Sequence, residues 1–406
     1  MNAIKLKKSI FVSLCILALN LGFFNSASAQ INFEHGSWTE IKAKAKAEHK
    51  LIFMDAFTTW CGPCKWMAKN VFTNDTVAAY YNATFVNAKI DMEAGEGKDI
   101  ATLYGVRVYP SLLFIDADGE LLHRSAGSRG AADFILLGKD AQNPDKQFAT
   151  LDKKYKGGQR DPGFLRLYIA ALQGVALPVN EPLAAYFSSQ KEADLINREN
   201  WTMISTYLTD SKSKEFSYLL KNADAFAKKY TKDSVNDKIS AIYNNECYEL
   251  IHSTKADSAQ YFALRNEIRK SGFAKAEEGL IASDIYYYQT RHDMGNYAKS
   301  VTEFIEKYES ANAGALNNYA YEFYTNIKDK AMLAKAEKWA QKAYELEPDP
   351  QVTMDTYACV LSVNGKKAEA VKLEKEAIAL IKANPKKYDQ NAIADMEKKI
   401  SDWSAK

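Results

Sequence analysis

A seven-residue run, Leu51-Ile52-Phe53-Met54-Asp55-Ala56-Phe57, breaks at Thr58-Thr59-Trp60-Cys61-Gly62-Pro63-Cys64-Lys65 and continues without a spacer into Trp66-Met67-Ala68-Lys69-Asn70-Val71. The run has the length and apolar content of a strand covered on both faces, and the segment after the break reads as a helix. A buried strand that feeds directly into a helix commits this part of the chain to a layered α/β arrangement. It also sets two cysteines, with two residues between them, at the junction.

The flanking segments keep to that arrangement. Residues 36–49 read as a helix with Ser37 as its cap and Trp38 and Ile41 as its spaced apolar contacts. A short helix near 75–81, an apolar strand over 84–90 and a helix over 98–105, stopped at Gly105, follow. A strand at 112–115, a turn signal at Asp118-Gly119, a returning strand at 120–124 and a helix over 130–139 close the unit. The strand signal ends near Asn143-Pro144. Beyond it, helical runs rich in Tyr, Ala, Lys and Glu dominate, with turns at Lys156-Gly157-Gly158, Asp161-Pro162-Gly163 and Gly295-Asn296. Tyr324, Ala336 and Ala343 recur 34 residues later as Ala358, Ala370 and Ala377, with Gly365 at a helix–helix turn and Pro348 closing one unit. The expected organisation is a leader over 1–29, an α/β domain over 30–142 and an all-α domain over 143–406.

The chain has 406 residues, 47% of them apolar, enough for more than one packed core. Its formal charge is +2, and setting aside Lys5, Lys7 and Lys8 leaves −1, which supplies no electrostatic drive toward nucleic acid. Those three lysines precede an apolar centre at 10–19, and Ala27-Ser28-Ala29 follows it. This is the layout of a secretory signal peptide cleaved between Ala29 and Gln30. A retained anchor is the rival reading, but the apolar centre falls short of the roughly 20 residues that span a bilayer. Cleavage would keep Cys61, Cys64, Cys247 and Cys359, too few to build a disulfide scaffold. Export would place them in an oxidising compartment, a bacterial periplasm or the exterior.

In that setting the C-x-x-C pair is suited to cycle between dithiol and disulfide. Cys61 would stand at a helix start, where unpaired N–H groups and the helix dipole favour a thiolate. Cys64, one turn on, would attack a mixed disulfide on Cys61 and release the reduced partner. Pro63 fits the first helical turn, which needs no N–H there. Gly62 lets a substrate backbone approach, and Trp60 offers an apolar wall. A zinc site would need two further ligands that no second C-x-x-C or nearby Cys/His pair supplies. A c-type haem site would need histidine where Lys65 stands. A permanent structural disulfide stays open. Cys247 and Cys359 read as buried inert thiols, with a mutual disulfide as the alternative. His35, His49, His123, His252 and His292 form no metal spacing and read as surface or cap residues. Tyr286-Tyr287-Tyr288 reads as helix packing, with peptide anchoring as the alternative. No metal and no cofactor is expected.

Trp60-Cys61-Gly62-Pro63-Cys64-Lys65, Asp55 upstream and Tyr104-Gly105-Val106-Arg107-Val108-Tyr109-Pro110-Ser111 downstream resemble the thioredoxin superfamily over residues 36–140. The resemblance implies that Asp55 is a buried proton acceptor for Cys64, which the physics of a carboxyl group in an apolar strand supports. A strand-end cap is its plainer reading. The resemblance further implies a cis peptide at Pro110, a Tyr109 backbone that pairs with an extended substrate, and a groove opened by Gly127. Lys89 matches either the family's lysine beside the aspartate or an exposed strand lysine. Asn70-Val71-Phe72-Thr73-Asn74-Asp75 and Asp91-Met92-Glu93-Ala94-Gly95-Glu96-Gly97 lengthen the surroundings of the site, as in exported thioredoxin-like reductases. The later repeat resembles tetratricopeptide repeats, most clearly over 295–382.

The expected function is thus an exported disulfide oxidoreductase acting on protein disulfides, with a redox-active Cys61–Cys64 pair. A membrane or soluble electron donor would recharge it, and the helical domain would recruit a partner protein. The alternative is a scaffold in which the helices carry the function and the thioredoxin fold is only a platform.

Overall fold

The computed structural model describes residues 30–253, 258–347 and 349–405. The expected leader and Pro348 lie outside the described residues. The chain divides into two compact units, one ending at Lys191 and the other beginning at Glu192.

The first unit is built on a five-stranded sheet of order β1-β3-β2-β4-β5, with β1 at Phe33–Glu34, β2 at Leu51–Phe57, β3 at Phe85–Asp91, β4 at Ser111–Ile115 and β5 at Leu121–Ala126. β2 lies between a parallel β3 and an antiparallel β4. Its side chains alternate between the two faces. Phe53 joins Leu112 and Phe114 in a core with Met67, Tyr81 and Phe134. Ile52, Met54 and Ala56 join Leu113 and Ile115 in a second core with Trp38, Ile41 and Ile100. Helices α2 (Gly62–Asn70), α3 (Asp75–Thr84) and α5 (Ala131–Ala141) thus share one face, and α1 (Trp38–Glu48) and α4 (Gly97–Leu103) the other. A capping box starts α1: the Glu40 N–H donates to Ser37, and the Ser37 N–H donates back to the Glu40 carboxylate at 2.8 Å.

β5 is an edge strand, and an open edge invites pairing with other chains. Helices α6 (Phe148–Lys156) and α7 (Pro162–Gly174) lie against it. The Phe148 N–H donates to His123 Nδ1 at 3.1 Å, and Ser125 Oγ donates to the Gly174 carbonyl at 3.2 Å. The sequence places a domain boundary at 142/143, where helix α5 ends. The compact unit runs past that point because these helices, with α8 (Asn180–Ser188), stay with the sheet.

Among the described residues the second unit holds no strand. The 34-residue spacing falls on two helix pairs, Ala313–Asn326 with Lys330–Leu346 and Gln351–Val363 with Lys367–Ala383. Ala336, Ala343, Ala358, Ala370 and Ala377 are all fully buried, so the recurring small residues mark close helix contacts. Asn364, before the Gly365 turn, donates to the Leu333 carbonyl and to Glu337, tying one pair to the next.

Candidate active site

The chain leaves β2 at Phe57 and reaches Cys61, which caps α2 in an extended conformation (φ −67°, ψ 108°). Cys61 Sγ accepts the Cys64 N–H at 3.1 Å, the place a capping oxygen usually takes. Pro63 lies in the first turn. Cys61 and Cys64 are joined by a disulfide. Both cysteines are buried, whereas Gly62 and Pro63 are exposed. The surface a partner meets is therefore the turn between the sulfurs and the indole beside it, since Trp60 is 64% exposed.

Trp60 is held in place from two sides. Its Nε1–H donates to Glu93 Oε2 at 3.0 Å, and its ring meets Tyr109 edge-on at 5.9 Å. Glu93 belongs to the lengthened segment after β3, where its N–H donates to Asp91 Oδ1 at 3.0 Å. The sequence marks that segment as unusual but gives no sign that Glu93 reaches the indole, because the contact spans two loops. Tyr109–Pro110 is a cis peptide. The Gly127 N–H donates to the Pro110 carbonyl at 2.8 Å, and Gly127 takes a positive φ of 82° that favours glycine. Tyr109, Pro110 and Gly127 are thereby joined on the same side of the sheet end, next to Trp60.

Asp55 is fully buried in β2, and neither carboxylate oxygen has a hydrogen-bond partner among the described residues. Its cross-strand neighbour is Lys89, whose Nζ lies 3.6 Å from Oδ2. This settles the register of Lys89. The ammonium is ringed by Phe57, Phe72 and Phe33, with centroids at 5.0, 5.5 and 5.8 Å. Burial raises the Asp55 carboxyl to about 6, and Lys89 pulls it back the other way. A carboxyl group poised there can change its proton near neutral pH.

The other sequence candidates lie apart from this constellation. Cys247 and Cys359 are buried free thiols, pushed up to about 11 and about 12 by burial, and they form no mutual disulfide. Of the surface or cap role expected for His123, the surface half is corrected, while its Nδ1 accepts the N–H of Phe148, the first residue of α6. His123 is 8% exposed, and burial holds its imidazole down at about 4. The tyrosine triplet divides: Tyr287 stacks on buried Tyr261, Tyr288 packs against the core, and Tyr286 is exposed with its hydroxyl 2.7 Å from His252 Nε2. No cluster of metal-ligating side chains occurs among the described residues.

A family model described as thioredoxin-like domain matches residues 39–142. Thioredoxin-1 of Schizosaccharomyces pombe is 35% identical over 86 residues, which cover 21% of this chain and 75% of that protein. A protein disulfide-isomerase of Datisca glomerata is 23% identical over 150 residues, and the chain spans only 30% of that relative's length. A solution structure of a candidate disulphide-isomerase from Bacteroides thetaiotaomicron shares 43% identity over 29% of this chain and 98% of its own, with a TM-score of 0.28. The family match and the similarity across three quarters of a thioredoxin establish that the chain belongs, through residues 39–142, to the thioredoxin-like family.

Proposed function

We propose that this chain is an exported thiol–disulfide oxidoreductase that reduces disulfides of envelope proteins through Cys61 and Cys64. In the dithiol form, the Cys61 thiolate attacks one sulfur of a substrate disulfide. An S–S bond forms to Cys61, and the other substrate sulfur leaves as a thiolate. Cys64 then gives its proton to Asp55 and attacks Cys61 Sγ. The second substrate sulfur departs, two electrons have passed to the substrate, and the Cys61–Cys64 disulfide remains. A thiol donor, membrane-bound or soluble, restores the dithiol by the same exchange in reverse. Trp60, Gly62, Pro63, Tyr109, Pro110 and Gly127 form the surface on which a substrate segment lies, and the helical region recruits a partner protein.

One observation carries this reading: the paired cysteines cap a helix at the end of a strand that buries a carboxyl group able to titrate near neutrality. The test is insulin reduction with dithiothreitol as donor, followed by trapping. Turnover by the intact chain, and mixed disulfides accumulating through Cys61 in a Cys64→Ala variant, are expected. An absence of both removes the enzymatic reading and leaves the scaffold.

A further inference from the structure

Beside β5, residues of α5, α6 and α7 line an open cavity of about 340 Å³. That volume lies in the range of small-molecule sites. Its walls mix apolar side chains, Leu137, Leu151 and Ala170 among them, with charged ones, and Leu136 and Leu167 also line it, 52% and 62% exposed. Two donors converge on it. His123 is more than nine-tenths buried, and its Nδ1 is taken by the Phe148 N–H. A neutral imidazole that accepts at Nδ1 carries its proton on Nε2. The ring lines the cavity, which sets that Nε2–H among the donors a bound molecule can meet. Arg129 turns one edge of its guanidinium onto Ser125 Oγ, with Nε at 2.8 Å, and among the described residues it forms no salt bridge. Its other edge is left for a ligand.

The lining also carries three carboxylates and two further cations, most of them engaged with other groups. Asp140 is neutralised by Lys146 at 2.7 Å, and Asp145 by Lys154 at 3.0 Å. Arg124 is taken up by the carbonyls of Tyr104 and Gly105. Asp133 is exposed to solvent. We infer that this cavity binds a small amphipathic monocarboxylate. The carboxylate accepts from Arg129 and His123 Nε2–H, and the apolar body lies along Leu137, Leu151 and Ala170. A planar guanidinium edge matches the two oxygens of a carboxylate, and the buried imidazole N–H adds a second donor to the same group.

The test is calorimetric titration of the full chain with phenylbutyrate and with its uncharged amide. The carboxylate is expected to bind about tenfold or more tightly than the amide, the usual worth of a charge-assisted hydrogen bond. Arg129→Gln should abolish that preference, and Arg129→Lys should restore part of it. Leu151→Trp, which fills the cavity, should remove binding of both compounds. Thermal melts confirm that each variant is folded, and His123→Gln serves as a second probe of the polar end. Equal affinity for acid and amide, binding that survives Leu151→Trp, or no heat with phenylbutyrate at millimolar concentration overturns the assignment. Disulfide reduction is not the readout, so failure here leaves the redox reading untouched.

Discussion

Cys61, Cys247 and Cys359 are chemically identical residues in unlike surroundings. In the dithiol form, Cys61 offers its sulfur to the N–H groups at the start of α2, which stabilise an anion. Cys247 and Cys359 lie inside helices, and burial outweighs the hydrogen bonds from Ser283 and Lys399, pushing them up to about 11 and about 12. Alkylation of the reduced chain by iodoacetamide across pH should therefore modify Cys61 well below the roughly 8.5 of a free thiol, while the other two stay inert until the chain unfolds. Mass spectrometry of the labelled peptides reads this directly. Asp55 gives a second residue-scale test. Its carboxyl rises from 3.8 to about 6 on folding, so the folded chain holds the proton more tightly. Stability therefore falls as pH climbs from about 4 to about 6, and the cost is complete above that window. About two pH units at 1.36 kcal/mol each come to roughly 3 kcal/mol. Asp55→Asn should stabilise the chain by about that amount near pH 8 and by nothing near pH 3, measured by urea unfolding. The same variant should slow insulin reduction at neutral pH, because an amide cannot take the Cys64 proton.

At the scale of elements, the alternating faces of β2 are legible in sequence because period two is a local property: Phe53 faces one core, Met54 the other. The helix start at Ser37 is legible for the same reason, since a capping box spans four consecutive residues. The reach of Glu93 to Trp60 is not legible, because it depends on how the segment between β3 and α4 folds back. Gly97 holds that fold. A Cβ there would stand 1.9 Å from the Asp91 carbonyl oxygen, which no backbone tolerates without shifting. Gly97→Ala should cost about 1–3 kcal/mol, the usual price of forcing atoms into an occupied place. It should also displace Glu93 and so change the emission of Trp60. An unaltered urea midpoint and unaltered fluorescence would show that the segment does not position the indole.

At the scale of the molecule, the sequence separates an α/β part from a helical part by the end of its strand signal, and it is silent on what covers β5. Edge coverage is a tertiary matter: α6 and α7 read as helices like those beyond them, and nothing in their periodicity names the surface they bury against. His123 records the outcome. Its imidazole is held down at about 4 by burial, against an ordinary 6.5. A depressed base contributes stability above about 6.5 that is lost as pH falls through about 4. A fragment of residues 30–142 removes the Phe148 N–H and opens the edge; a fragment of residues 30–191 keeps both. The longer fragment should unfold in one cooperative transition. The shorter should be weaker by about 2 kcal/mol or more, self-associate through β5, and let His123 titrate near 6.5 by NMR. Equal stability of the two fragments, with His123 still titrating near 4 in the shorter, would mean that the sheet closes itself and that α6 and α7 are only appended to it.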